Sequence, residues 1–471
     1  MNTSTQKNNY NISLIERELN QALCEYKLGN ISNVKLILNS ILQKYPDSTE
    51  ALKLLAMISH TQNNFELAVI YYEKIMQQNP NDIDCYHKLS LIYQQQGNFK
   101  QAIKILKNAI SLVPNSIQLS NQLAYNFAKQ GQLTDAINLY SKILEVIPDN
   151  ITVLWNRALA LIKNGDFTKG FAEFECRQSL PNFEKSYLPD YPMWDGSDLN
   201  GKTILVYHAE DALGDIIQYI RYTDILAKKG GKVIFAAPKP LLRLLNYISS
   251  IQDLIPLEAE IPAFDLYVPL LSLPHLCQTN IDTIPGKTPY ISLPKSNGST
   301  TINLQKSSST LHTFSQNLLK IGIVWSSGHR ERNDTDIPYY RDCDLSLFVD
   351  LLSIPNISLY SLQVGKWARE IDRYKHHHRL YDLTPQIQDF ADTAALITQL
   401  DLVISVDTAI AHLCGAMGLS VWTILAYDAD CRWLIDRDDS PWYPSMRLFR
   451  QPKYGDWQGI FEQVKIALKD L

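Results

Sequence analysis

The sequence predicts an all-α helical solenoid followed by an α/β domain of two doubly wound units. Three observations carry that expectation: a 34-residue period in the first part of the chain, its end at Pro181, and an alternation of short apolar strands with helices from Thr203 onward. At 471 residues, 45% hydrophobic and 20% charged, the chain is long enough for about three globular domains.

Pro46, Pro80, Pro114 and Pro148 set the period. Ala68, Ala102 and Ala136 keep its phase, as do Leu55, Leu89 and Leu123. So do Tyr72, Leu106, Tyr140 and Phe174, and Gly29, Gly97, Gly131 and Gly165. A small residue where two helices cross, with proline closing each unit, resembles the tetratricopeptide repeat. Each helix pair has an apolar face that it cannot bury alone, so neighbours stack into a right-handed solenoid. The resemblance implies a concave groove for a peptide or partner protein. About five repeats span 13–181, with Val34 and Gly170 standing at the crossing position of the first and last. Both departures suit end repeats.

Residues 182–202 are rich in Pro, Asp and Gly and read as a linker. From there TILVYHA, a loop, DIIQYIRYTDILAKKG and KVIFAAP alternate strand and helix, which indicates a parallel sheet. The 296–319 stretch, rich in Ser and Thr, reads as a hinge. KIGIVWSSG, ISLYSLQVG, LDLVISV and VWTILAY then supply a second set of strands. Two α/β units follow, 203–295 and 320–471, with ligands expected at the carboxyl ends of the strands and in the cleft between the units.

The net charge of -5 lacks the basic footprint of a nucleic-acid-binding protein. Seven scattered cysteines, without a C-x-x-C pair, fit reduced thiols. The N-terminus lacks an apolar stretch of signal-peptide length, and no run of about 18 apolar residues occurs. The expectation is a cytoplasmic protein without a transmembrane segment, any membrane contact being peripheral at the inner face.

Three strand ends carry reactive groups. YHAEDALGDIIQ places His208, Glu210, Gly214 and Asp215 between a strand and a helix. VWSSGHRERND opens a strand into Ser326 and Ser327, then His329, Arg330 and Arg332. SVDTAIAHLCGAMG sets Asp407, Thr408 and Ala409 at a helix start, with His412 one turn beyond Thr408. Helix N-termini offer free N–H groups and a positive dipole end, so the second and third strand ends are placed to hold the two phosphates of a nucleotide diphosphate. His412 shares a helix face with Thr408 and is placed to donate to a phosphate oxygen. Asp215 also has the chemistry of a helix N-cap.

Taken in order, LGD, GIVW, SLQ and DTAIAHLCGAMG resemble the heptosyltransferase-like glycosyltransferases of family 9. More closely they are similar to bacterial proteins that carry such a domain behind tetratricopeptide repeats, a subgroup that CRWLIDRDDSPWYPSMRLFRQ (431–451) also resembles. The resemblance implies a GT-B fold, with the acceptor on the first unit and a nucleotide sugar mainly on the second. It implies inverting transfer without metal or cofactor. Asp215 takes the place of the acceptor-activating base. Asp407, Thr408 and His412 meet the donor diphosphate, Ser326 and Ser327 match the hydroxyls after the strand, and Arg341 matches a loop arginine. Two departures stand out: Ala212 where many relatives have Gly, and the long SSGHRERNDTDIPYYR loop.

The other conspicuous groups are assigned structural roles. His376–His378 reads as a polar loop, and Asp342-Cys343-Asp344 and Asp428-Ala429-Asp430 have a D-x-D form that belongs to metal-dependent transferases of another fold. Trp433, Trp442, Tyr443 and Trp457 are expected to pack the C-terminal segment back across the cleft. The expected function is sugar transfer from a nucleotide diphosphate to a hydroxyl of a glycan, a lipid-linked saccharide or a protein, with the repeats recruiting the acceptor or a protein partner. The alternatives are an inactive tetratricopeptide scaffold and a nucleotide-sugar-processing enzyme such as an epimerase-like hydrolase.

Overall fold

The computed structural model describes residues 2–180, 191–208, 212–293, 318–328 and 341–471, with backbone alone for 2–14. Two compact units result, Met1–Pro148 and Asp149–Leu471.

The first unit is a run of helix pairs. After a long helix, Asn2–Lys27, come Ile31–Lys44, Thr49–Thr61, Phe65–Gln78, Ile83–Gln95, Phe99–Leu112, Ile117–Lys129 and Leu133–Val146. Their starts are fixed locally: Asn64, Asp82, Asn98 and Ser116 each accept a backbone N–H from three residues on. The turns within pairs need a left-handed residue, which Gly29, Gly97 and Gly131 supply; Asn63, at φ 58°, fills the slot that breaks the glycine series. Ala68, Ala102 and Ala136 are fully buried where the helices cross.

The fifth pair, Ile151–Lys163 and Phe167–Phe174, belongs to the second unit. Its Ile162, Phe167 and Phe171 share a core with Trp442, Tyr219 and Ile217, and the Phe167 and Trp442 rings stack with centroids 5.7 Å apart. The stretch read as a linker is also part of this unit where it is described. Trp194 and Leu199 are buried, and the Trp194 N–H bonds the Tyr267 carbonyl at 2.9 Å. Proline and glycine content masked two apolar anchors there. Residues 182–190 and 296–317 lie outside the described residues.

Two parallel sheets complete the unit. The first joins β1 (Thr203–Tyr207), β2 (Lys232–Ala237), β3 (Asp253–Pro256) and β4 (Leu266–Pro269) in the order β3-β2-β1-β4. The second holds β5 (Leu319–Val324), β6 (Ile357–Ser361), β7 (Leu380–Asp382), β8 (Leu402–Val406), β9 (Val421–Leu425) and β10 (Met446–Arg450) in the order β10-β9-β8-β5-β6-β7. Every pairing is parallel. Both faces of the second sheet are covered: Leu402, Ile404 and Val406 enter one core and Val403 the other, as the period of two requires. The strand order reverses between β5 and β8, and in the first sheet between β1 and β4. Sheets of this kind bind ligands beyond the carboxyl ends of the strands at that reversal. The strand ends singled out in the sequence follow β1, β5 and β8.

Candidate functional site

The loop after β1 feeds the helix Leu213–Tyr219, and β8 feeds the helix Ala409–Ala416. These two helices touch. A Cβ built on Gly214 would stand 3.0 Å from His412 Cδ2 and 3.6 Å from Ala409 Cα, so the glycine of LGD permits the approach. The motifs after the first and eighth strands thus meet in space, although nearly 200 residues separate them.

Asp215 is the third residue of its helix, and the N-cap is Ala212, without a side-chain bond. The capping role is therefore corrected: the carboxylate points elsewhere. Its Oδ1 accepts from Arg432 Nη1 at 2.6 Å, and the same nitrogen donates to Gln218 Oε1 at 2.8 Å. Arg432 Nε donates to Asp430 Oδ1 at 2.9 Å, and that oxygen also takes the Arg432 backbone N–H. Arg341 stands 3.6 Å from both Asp407 and Asp430. Three carboxylates and two guanidiniums thus share one cluster. Burial alone would raise the Asp430 carboxyl, but Arg432 and Arg341 hold it well below the usual carboxylate range.

His412 is buried beneath this cluster. Its ring stacks on Trp433 with centroids 5.2 Å apart, Nδ1 pairs with the Tyr443 hydroxyl at 2.9 Å, and Nε2 lies 3.9 Å from Asp407 Oδ1. Burial first, and the Arg432 charge next, push the imidazole well below its ordinary value, so it is neutral. When the Tyr443 hydroxyl donates, Nε2 keeps the ring proton. Thr408 is the N-cap of its helix but makes no cap bond; its hydroxyl pairs with Ser405 Oγ at 2.9 Å.

Ser326 and Ser327 lie at the end of β5 as expected, but their hydroxyls are committed. Ser326 Oγ donates to Asp342 Oδ2 at 2.6 Å, and Ser327 donates its N–H and its hydroxyl to Asp342 Oδ1 at 2.6 and 2.7 Å. Gln363 Oε1 takes the Trp325 and Ser326 N–H groups. This strand end is a closed turn around a carboxylate, which disfavours a phosphate at the two hydroxyls. His208 is buried at the end of β1. Glu210, His329, Arg330 and Arg332 lie outside the described residues.

Sequence reasoning missed Arg432 and the part played by Asp430. Their signal was position: CRW follows β9, the neighbour of β8, at the same carboxyl edge as the DTAIAH motif. The D-x-D segments hold the protein's own groups. Asp428 pairs with Lys163 at 2.7 Å, and Asp344 caps the helix Leu345–Val349. Trp433, Trp442 and Tyr443 are buried at 0% exposure, in keeping with a packing role. Among the described residues no group of three or more His, Cys, Asp or Glu is placed to hold a metal ion. None of the helices among them is long and apolar enough to cross a membrane.

The helix pairs are tetratricopeptide repeats. Tetratricopeptide models match residues 18–48 and 121–175, and the model described as anaphase-promoting complex, cyclosome, subunit 3 matches 61–143. A curated relative is protein FlbA of Caulobacter vibrioides, 25% identical over 347 residues that cover 67% of this chain. The chain spans about half, 54%, of that relative's length. Among solved structures, MamA residues 41 to the end, from Desulfovibrio magneticus RS-1, is 14% identical and covers 36% of this chain and 97% of its own, with a TM-score of 0.33. YrrB, described as a tetratricopeptide protein with an unusual peptide-binding site, is 15% identical, covering 34% and 84%, with a TM-score of 0.31. Repeats of this kind form an extended concave surface suited to protein interaction.

Proposed function

We propose that the second unit is a glycosyltransferase of GT-B type, moving a sugar from a nucleotide diphosphate to an acceptor hydroxyl with inversion and without a metal. One observation carries the reading: Asp215 and the Asp407–His412 motif converge at the carboxyl edges of two parallel sheets, where the Gly214 backbone meets His412 and Arg432 pairs with Asp215. A base facing the acceptor and a cationic, helix-capped pocket facing the leaving diphosphate are the two things inverting transfer needs. Arg341 and Arg432 supply the charge, the backbone start of Ala409–Ala416 supplies N–H donors, and Asp215 takes the acceptor proton. The repeats recruit the acceptor or a partner protein.

A panel of nucleotide diphosphate sugars tests this by thermal shift, since a ligand that binds only the native state raises its melting temperature. One or more members should raise it, and the nucleoside diphosphate should be released on adding acceptor, with turnover unchanged in excess EDTA. A silent panel favours a second reading, an inactive interaction scaffold, for which the engagement of Asp215, Ser326 and Ser327 within the protein speaks. Turnover lost to EDTA and restored by Mn²⁺ would return attention to the D-x-D segments.

A further inference from the structure

Asp215 Oδ1 is occupied by a charge-assisted bond from Arg432 at 2.6 Å. The guanidinium that occupies it is also well suited to bind a diphosphate. Arg432 is 16% exposed at its side chain, and among the described residues its Nη2 makes no hydrogen bond. The Nη2 amino group is open to a phosphate oxygen, and a bidentate grip by Nη1 and Nη2 becomes available once Nη1 leaves Asp215 and Gln218. We propose that the Arg432–Asp215 ion pair is a latch that the donor diphosphate opens, so that the base is freed only when a donor is bound. The inference rests on the transferase reading above and adds its order of events.

The geometry supplies the hinge. Asp430 holds Arg432 by both Nε and the backbone N–H, so the guanidinium can turn about that anchor without leaving the site. Gln218 is fully buried and turns its oxygen toward Arg432, which leaves its Nε2 buried without a partner among the described residues. Arg341, which forms ion pairs with Asp407 and Asp430 at 3.6 Å, adds a second positive group to the cluster. With the donor bound, Arg432 pairs with phosphate oxygens. Asp215 then accepts the proton of the acceptor hydroxyl as the new C–O bond forms at the anomeric carbon. The bond from that carbon to the diphosphate breaks, and the nucleoside diphosphate leaves with the electron pair. In this account Arg432 binds the donor and, in doing so, releases Asp215.

The competition is measurable without turnover. Calorimetry with UDP, GDP, ADP, CDP and dTDP finds the nucleotide that wild type binds, and the same nucleotide is then titrated into Asp215→Asn, Arg432→Gln and the double variant. Asp215→Asn removes the competitor for Arg432 and should tighten binding roughly tenfold, the scale of one hydrogen bond to a charged group. Arg432→Gln should weaken it by a similar factor. In the Arg432→Gln background, Asp215→Asn should change nothing. Tightening that persists in that background means simple charge repulsion and overturns the latch, as does an unchanged affinity in Asp215→Asn. If Arg432→Gln is unfolded by its melting curve, Arg432→Lys replaces it and should halve the coupling or better. Should none of the five diphosphates bind wild type or Asp215→Asn, the transferase reading falls first and the latch with it.

Discussion

His412 shows how one side chain reports on its surroundings. Arg432, Arg341 and Arg221 disfavour its protonation and Asp430 favours it, but burial dominates and the ring is neutral when folded. The unfolded chain takes up this proton near the ordinary histidine value of about 6.5, while the folded chain resists it to much lower pH. The contribution to stability is therefore complete above about pH 6.5 and is lost as pH falls below it, with a slope of up to ~1.4 kcal/mol per pH unit. All eight tryptophans lie beyond Pro148, so their emission follows the second unit alone. Denaturant unfolding read by tryptophan between pH 7 and 5 should show this loss in wild type and a flatter response in His412→Gln. Equal slopes in the two proteins would mean that the ring is charged in the folded state.

At the scale of elements, two positions carry the local geometry, one in each unit. A Cβ on Gly415 would lie 2.4 Å from Tyr443 Cγ, so the helix Ala409–Ala416 and the Tyr443 ring fit only without a side chain there. Gly415→Ala should cost the second unit about 1–3 kcal/mol by overpacking and loosen the Tyr443 bond to His412. Asn63 holds a left-handed turn between helices of the first unit. Asn63→Ala should cost that unit about 1 kcal/mol, and Asn63→Gly should not, as read by far-UV circular dichroism. The repeats were legible because proline, alanine and glycine recur at fixed spacing, and Asn63 was overlooked because it breaks the glycine series. The strand ends after β1, β5 and β8 were legible because parallel strands are short apolar runs followed by polar loops. The closure of Ser326 and Ser327 on Asp342 was not, since it depends on a residue 15 positions away that the fold returns to the strand end. Nor was Arg432, whose partner Asp215 is 217 positions away.

On the scale of the whole molecule, the 34-residue period and the cooperative core divide the chain at different places. The period runs on through Phe174, but Phe167 and Phe171 lie in the core of the α/β unit, and Lys163 pairs with Asp428, two residues from the anchor of Arg432. A chain beginning at Asp149 should fold and bind the same nucleotide as the full protein. One beginning near Asp190 loses two buried phenylalanines, each worth about 3–5 kcal/mol, against a total stability of about 5–15 kcal/mol. It should be insoluble or unfolded, and a soluble, cooperatively melting product would place the boundary back in 182–202. Pro148 closes one turn of the period and ends the first unit, so the array ahead of it is built of whole helix pairs. Over evolutionary time the length of the array can drift by duplication and deletion, while its last pair must be inherited with the sheets that it helps to bury.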